Sequence, residues 1–232
     1  MPQLSDLARL RNEYAARKRR LSTSDIYSPF NPAHLFTLQQ RQRAVVDMLR
    51  RHGFERLIDK RILEVGCGNG GVMHEFIGLG ATPELLHGTD LLPDRTLAAH
   101  RLLPHVSITC ADGQYLPYGP ATFDLVLQYT VFSSVLDDQI KRNLAAEVLR
   151  VLKPSGLVLW YDFWLNPTNK QTKGVRPAEI RSLFPLCTFD FRRITLAPPI
   201  ARKLAPRSWL ACYLLESLRV LNTHYLVAIT RS

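Results

Sequence analysis

At 232 residues, with 46% apolar side chains, the chain is long enough to bury one substantial core and has the apolar fraction of an ordinary soluble protein. Its 30 basic and 20 acidic residues leave a formal net charge of +10, which admits an anionic small substrate, an acidic membrane surface or nucleic acid without choosing among them. Four scattered cysteines, Cys67, Cys110, Cys187 and Cys212, show neither C-x-x-C metal spacing nor the density of a disulfide framework, so a reduced, cytoplasmic protein is expected.

The opening segment, MPQLSDLARLRNEYAARKRRLS, has no apolar run of the length that a signal peptide or a transmembrane helix requires. Its cations, Arg9, Arg11, Arg17, Lys18, Arg19 and Arg20, predict a solvated helix face or a loose arm. Residues 1–40 are therefore taken as an arm and cap, ahead of a domain over 41–232. From about Asn31 to His52, Leu35, Leu38, Val45, Val46 and Leu49 recur at spacings of three, four and seven, which predicts a helix closed by Gly53.

Arg61 to Gly71 reads RILEVGCGNGG. Ile62, Leu63 and Val65 suit a buried parallel strand, and Gly66, Gly68 and Gly70 let the chain turn tightly and approach a ligand with no Cβ in the way. Glu64 lies two residues before the first glycine. Gly66, Gly68 and Gly71 also satisfy G-x-G-x-x-G, so the turn alone fits a dinucleotide site, or a strand-to-helix connection with no ligand. Twenty residues past Gly70, Asp90 ends a second apolar strand at the spacing where a carboxylate reaches ribose hydroxyls. A third strand, Val106 to Cys110, runs into Asp112, placed to accept from an adenine amino group.

The fourth strand, Phe123 to Tyr129, is followed by a polar turn, a helix ending in EVLRVLKPSG and a fifth strand, LVLWYDF. Asp137 and Asp138 are read as capping that helix and not as metal ligands, and no metal is expected. Asn166 to Lys170 is turn-rich, Pro177 to Leu183 a short helix, and Phe189 to Leu196 the sixth strand. Residues 197–220 interrupt the path to a closing strand at His224 to Thr230 with a helical insertion, WLACYLLESLRVL. Trp209, Leu210, Tyr213, Leu214 and Leu218 would form one face of it, packed on the sheet or a partner subunit, lying over an apolar acceptor, or resting against lipid.

LEVGCGNG, TD, ADGQYLPYGPATFDLVLQ and LRVLKPSGLVLW, in that order, resemble the class I S-adenosylmethionine-dependent methyltransferases, in particular the small-molecule branch with quinone and sterol methyltransferases. The resemblance covers roughly Arg41 to Trp164. It implies a doubly wound, Rossmann-like α/β fold, with seven strands, mostly parallel, the last antiparallel, and helices on both faces. It also implies that Glu64, Gly66 and Gly68 hold the methionine part of S-adenosylmethionine, Asp90 the ribose and Asp112 the adenine. Leu91 and Gly113 would flank the nucleoside, the backbone at Gln128 would face the amino group, and Cys67 would be a small filler inside the turn.

Methyl transfer needs in-line geometry and exclusion of water more than covalent help, and a hydroxyl acceptor adds a need for a general base. His34, then Asp162, then Tyr129 are the candidates. Gln128-Tyr129-Thr130-Val131 lacks the Asn/Asp-Pro-Pro-aromatic turn of enzymes that methylate base amines, and no aromatic-interleaved basic patch is present, which argues against nucleic acid. Oxygen of a small-molecule or lipid-linked acceptor follows by elimination. The rival readings are an NAD-dependent oxidoreductase, which leaves Glu64, Asp112 and LKPSG unexplained, and a non-catalytic cofactor-binding partner subunit.

Overall fold

Seven apolar or alternating runs assemble into one sheet in the order β3-β2-β1-β4-β5-β7-β6. The strands are β1 (Ile62–Val65), β2 (Leu86–Asp90), β3 (Ser107–Cys110), β4 (Phe123–Tyr129), β5 (Leu152–Phe163), β6 (Cys187–Leu196) and β7 (Asn222–Arg231). The first five run parallel, and β7 lies antiparallel between β5 and β6. This is the doubly wound, Rossmann-like arrangement expected. The computed structural model describes residues 6–21, 24–166, 169 and 171–232. The expected turn at Pro167, Thr168 and Lys170, and the side chain of Lys18, lie outside the described residues.

β1 is buried along its whole length because helices cover both sheet faces, which is why it reads as a continuous apolar run. One face packs Val45, Met48 and Leu49 of α2 (Pro32–Arg51) and Met73 and Phe76 of α3 (Gly71–Gly78) against Ile62, Leu125 and Leu127. The other packs Leu144, Ala145 and Val148 of α5 (Asp138–Val151) and Ile180 of α6 (Pro177–Leu183) against Leu63, Val126 and Trp160. α4 (Pro93–Leu102) joins β2 to β3. Asn31 caps α2 by accepting from the N–H groups of Ala33 and His34, and Asp137 caps α5 through Gln139 and Ile140.

The basic opening segment is the helix and not the loose arm: α1 (Asp6–Leu21) lies on the body, with Leu10 buried. Three expectations need correction. α2 then runs unbroken across the expected boundary at residues 40 and 41. β5 begins at Leu152, so LKPSG belongs to the strand, with a register shift opposite Phe123 and Leu125. The insertion is two short helices, α7 (Pro198–Leu204) and α8 (Trp209–Ser217), and it is Cys212 that turns inward while Trp209, Leu210, Tyr213, Leu214 and Leu218 stay exposed. Among the described residues, no helix is long and apolar enough to cross a membrane.

One buried ion pair locks α6 to α5. Lys141 is 1% exposed and its ammonium donates to Glu179 Oε1 at 2.5 Å. Removing the acid strands a buried cation, so Glu179→Ala should cost about 3 kcal/mol. Urea denaturation should show the lowered midpoint, with Glu179→Gln losing less because it keeps an acceptor.

Candidate active site

The strand order reverses between β1 and β4, and in such sheets the crevice at the carboxyl ends of the strands is where a ligand fits. The glycine turn stands there. The N–H groups of Gly66 and Cys67 both donate to Thr89 O, at 2.7 and 2.8 Å, which draws the turn onto the end of β2. Gly66, Gly68 and Gly70 all have positive φ, at 74°, 56° and 87°. A Cβ on Gly66 would lie 2.4 Å from Val131 Cγ2, and one on Gly68 would lie 2.3 Å from the Arg95 guanidinium.

Asp90 is buried at the end of β2. Its Oδ2 accepts from the Gly68 N–H at 2.9 Å and its Oδ1 from the Leu92 N–H at 3.0 Å. Arg95, one turn into α4, approaches the same Oδ2 at 3.6 Å and lies over the Tyr14 ring, 4.6 Å from its centroid. Asp112 follows β3, accepting the Gln114 N–H and its side-chain amide at 3.0 and 3.1 Å. A cavity of about 110 Å³ is lined by Gly66, Asp90, Leu91, Asp112, Gly113 and Tyr129, with Leu7, Leu10 and Tyr14 of α1 on its wall. Glu64, Cys67, Gly68 and Gln128 adjoin this lining without belonging to it.

α1 is held over the cavity by polar contacts as well as by its apolar face. Asp6 Oδ2 accepts from the N–H groups of Leu136 and Asp137, and Arg9 donates to the carbonyl oxygens of Ser134 and Gln171. Leu7, Leu10 and Tyr14 share a face at spacings of three and four, a signal the sequence carried beneath the run of cations.

Beside the glycine turn lies a buried polar cluster. The Arg41 guanidinium, from the middle of α2, pairs with Glu75 and lies over the rings of Tyr129 and Tyr161, 5.5 Å from each centroid. Tyr161 hydrogen-bonds Thr195 Oγ1 at 2.8 Å and stacks on His224 at 4.7 Å. Burial, and then the negative charge of Glu75, push Glu64 well above the usual carboxylate range. Burial, aided by the charge of Arg41, lowers His224 to about 3. Sequence reasoning missed Arg41, Glu75, Arg95 and His224, whose residue types and spacing carry no local signature.

Of the three candidate bases, only Tyr129 lines the cavity, and burial raises its phenol so far that it stays protonated. Asp162 is buried on the other sheet face. Its oxygens accept from Gln128 Nε2 at 2.8 Å and from the N–H groups of Ser133 and Phe163, and burial raises it to about 6. His34 sits in the first turn of α2 with its ring edge-on to Tyr27 at 5.7 Å. It lies seven residues before Arg41, on the same helix face. Cys67 is buried, and burial pushes its thiol well up, which suits a filler in the turn. Thr130, just past β4, has φ of 57°, a strained value for a β-branched residue at the wall of the cavity.

Residues 62–156 match the methyltransferase domain family. Phthiotriol/phenolphthiotriol dimycocerosates methyltransferase of Mycobacterium leprae (strain TN) is 33% identical over 131 residues, 55% of this chain and 46% of that protein. Ubiquinone biosynthesis O-methyltransferase of Thiobacillus denitrificans (strain ATCC 25259 / T1) is 28% identical over 152 residues, 63% of this chain and 62% of its own. The TehB-like SAM-dependent methyltransferase from Corynebacterium glutamicum superposes with a TM-score of 0.59 at 16% identity, covering 95% of this chain and 97% of that one. The chain spans about half the length of curated relatives it matches.

Residues 62–156 therefore form a methyltransferase domain, within a fold shared with solved S-adenosylmethionine-dependent methyltransferases, and S-adenosylmethionine is the cofactor of that domain. The NAD-dependent oxidoreductase reading, which the glycine pattern had left open, is set aside. Among the described residues, no group of three or more His, Cys, Asp or Glu side chains is placed to hold a metal ion.

A side chain at the turn meets two penalties at once, the positive φ and the Val131 methyl group. Gly66→Ala should therefore cost about 1–3 kcal/mol. Because Val131 shares the cavity wall, the cofactor's dissociation constant should also rise. Thermal unfolding and calorimetric titration together check both effects.

Proposed function

We propose that the chain transfers a methyl group from S-adenosylmethionine to an oxygen of an apolar small-molecule or lipid-linked acceptor. The reading rests on one observation: Glu64, Asp90 and Asp112 stand at or near the carboxyl ends of three adjacent strands, and the last two line one cavity with Tyr129. The cofactor's chemistry fits these residues. Glu64 Oε2, buried without a hydrogen-bond partner among the described residues, suits an amino group, and the Asp90 carboxylate, held by two N–H groups, has lone pairs left for hydroxyls. Asp112 suits an adenine amine, with Leu91 and Gly113 flanking the nucleoside, Gly66, Cys67 and Gly68 forming the turn, and the Gln128 backbone nearby.

Bound S-adenosylmethionine supplies a sulfonium methyl, an electrophile with a good leaving group. The protein's part is to align an acceptor and exclude water. α1 acts as the cap over the cavity, and the 197–220 insertion stands on the same carboxyl edge of the sheet. Oxygen is favoured because the ubiquinone biosynthesis relative is an O-methyltransferase. Burial, and then the charge of Arg41, hold the His34 imidazole below its ordinary value, so that it is unprotonated at neutral pH. Asp162, whose oxygens already accept from three donors, positions the loop at Ser133, and Tyr129 closes the wall.

Calorimetric titration with S-adenosylmethionine and S-adenosylhomocysteine should give saturable binding. NADH should not bind, and Asp90→Ala should lose about a hundredfold or more in affinity. Binding of NADH in place of the other two would sink the proposal. With polyprenyl quinols and fatty acids as acceptors, the product should be a methyl ether or ester, and a carbon-linked methyl would overturn the choice of oxygen.

If His34 takes the acceptor's proton, activity must fall as pH drops through a value below that of an ordinary histidine, because only the neutral ring is a base. His34→Asn should remove that acid limb and lower kcat by about a hundredfold or more while leaving cofactor affinity unchanged.

A further inference from the structure

The α7–α8 insertion leaves β6 at Leu196 and returns to β7 at Asn222, and these two residues pair with each other. β7 then pairs His224 with Phe163 at the carboxyl end of β5. The insertion therefore stands on the same sheet edge as the cavity, and Phe36 of α2 meets its Trp209 ring edge-on at 5.8 Å. Its outer side is apolar and uncovered: Leu210 is 68% exposed, Tyr213 49%, Leu214 55%, Leu218 67% and Val220 73%. Side chains of this kind, clustered on one short helix and the turn after it, mark an interaction surface.

The charges around this face narrow the occupant. Between residues 197 and 221 the chain has four cations, Arg202, Lys203, Arg207 and Arg219, and one acid, Glu216. All four cations are exposed, and among the described residues none of them is in an ion pair. Glu216 turns inward and accepts the Thr195 N–H at 3.2 Å. A second copy of the chain, docked by two-fold symmetry, would bring these cations against themselves. An anionic surface with an apolar interior satisfies both features, since leucines and a tyrosine enter the boundary between headgroups and acyl chains while arginine and lysine meet the phosphates.

We infer that the α7–α8 face docks this protein on an anionic lipid bilayer, with the rim of the cleft turned toward the membrane. Docking itself does not depend on the methyl-transfer reading. Its use, to let a lipid-linked acceptor pass from the bilayer to the cleft, rests on that reading.

Co-sedimentation of the full chain with vesicles tests the docking without cofactor or acceptor. The chain should pellet with vesicles containing about one-third phosphatidylglycerol, less so at high salt, and not with phosphatidylcholine alone. The exposed triple variant Leu210→Ser/Leu214→Ser/Leu218→Ser should lose about tenfold or more in partitioning. Arg202→Glu/Lys203→Glu should lose roughly thirtyfold or more. Circular dichroism and S-adenosylmethionine binding, both unchanged, would show that the variants remain folded. Failure of the wild type to pellet overturns the inference. So does undiminished pelleting of the serine variant, which would place the contact elsewhere, for example on α1. A dimer in light scattering that the serine variant dissociates would also overturn it, since a second copy would then cover the face.

Discussion

The Asp90 carboxylate holds together parts of the chain that would otherwise be independent. It takes the Gly68 N–H from the turn after β1 with one oxygen and the Leu92 N–H from the start of α4 with the other, while Arg95 comes back toward it from α4. A parallel sheet ends in unpaired N–H and C=O groups, and a short acid there can satisfy donors from two neighbouring connections at once. The glycine turn, the cavity wall and the position of Arg95 all depend on that one side chain.

Around it the protein buries charge in a way that packing alone would not favour. Glu64 and Glu75 lie near each other beside the glycine turn, and Arg41 offsets both while lying over two tyrosine rings. Burial pushes the carboxylates up and the histidines down, so ionised and neutral partners sit within one desolvated cluster. A cluster of that kind costs stability unless its polar atoms find partners. Among the described residues, Glu64 Oε2 and Arg41 Nε are buried without one, which marks the place where a charged ligand would repay the cost.

Two elements outside the parallel core stand near this site. α1 covers the cavity through Leu7, Leu10 and Tyr14, and α7–α8 pack on α2 at the same carboxyl edge of the sheet. Both elements lie outside the parallel core, where a scaffold tolerates change, and such elements set what reaches a site more than what the site does.

Much of the fold was legible because its signals are local. A buried strand must be apolar along its length and a tight turn at positive φ favours glycine; a single acid at a strand end is an ordinary cap, but Glu64, Asp90 and Asp112 at or near the ends of successive strands, with Gly66 between, stood out by their serial order. α2 was readable from its periodicity, and α6 from the turn-rich loop and Pro177 ahead of it. By itself, then, the sequence determined the Rossmann-like sheet, its glycine turn and the serial acids. Tertiary structure alone decided that α1 is a roof, that Arg41, Glu75, Tyr161 and His224 meet, that Asp162 serves the opposite face, and that the apolar side of α8 stays uncovered. These outcomes depend on contacts between segments up to about 180 residues apart, which residue spacing along a chain does not encode.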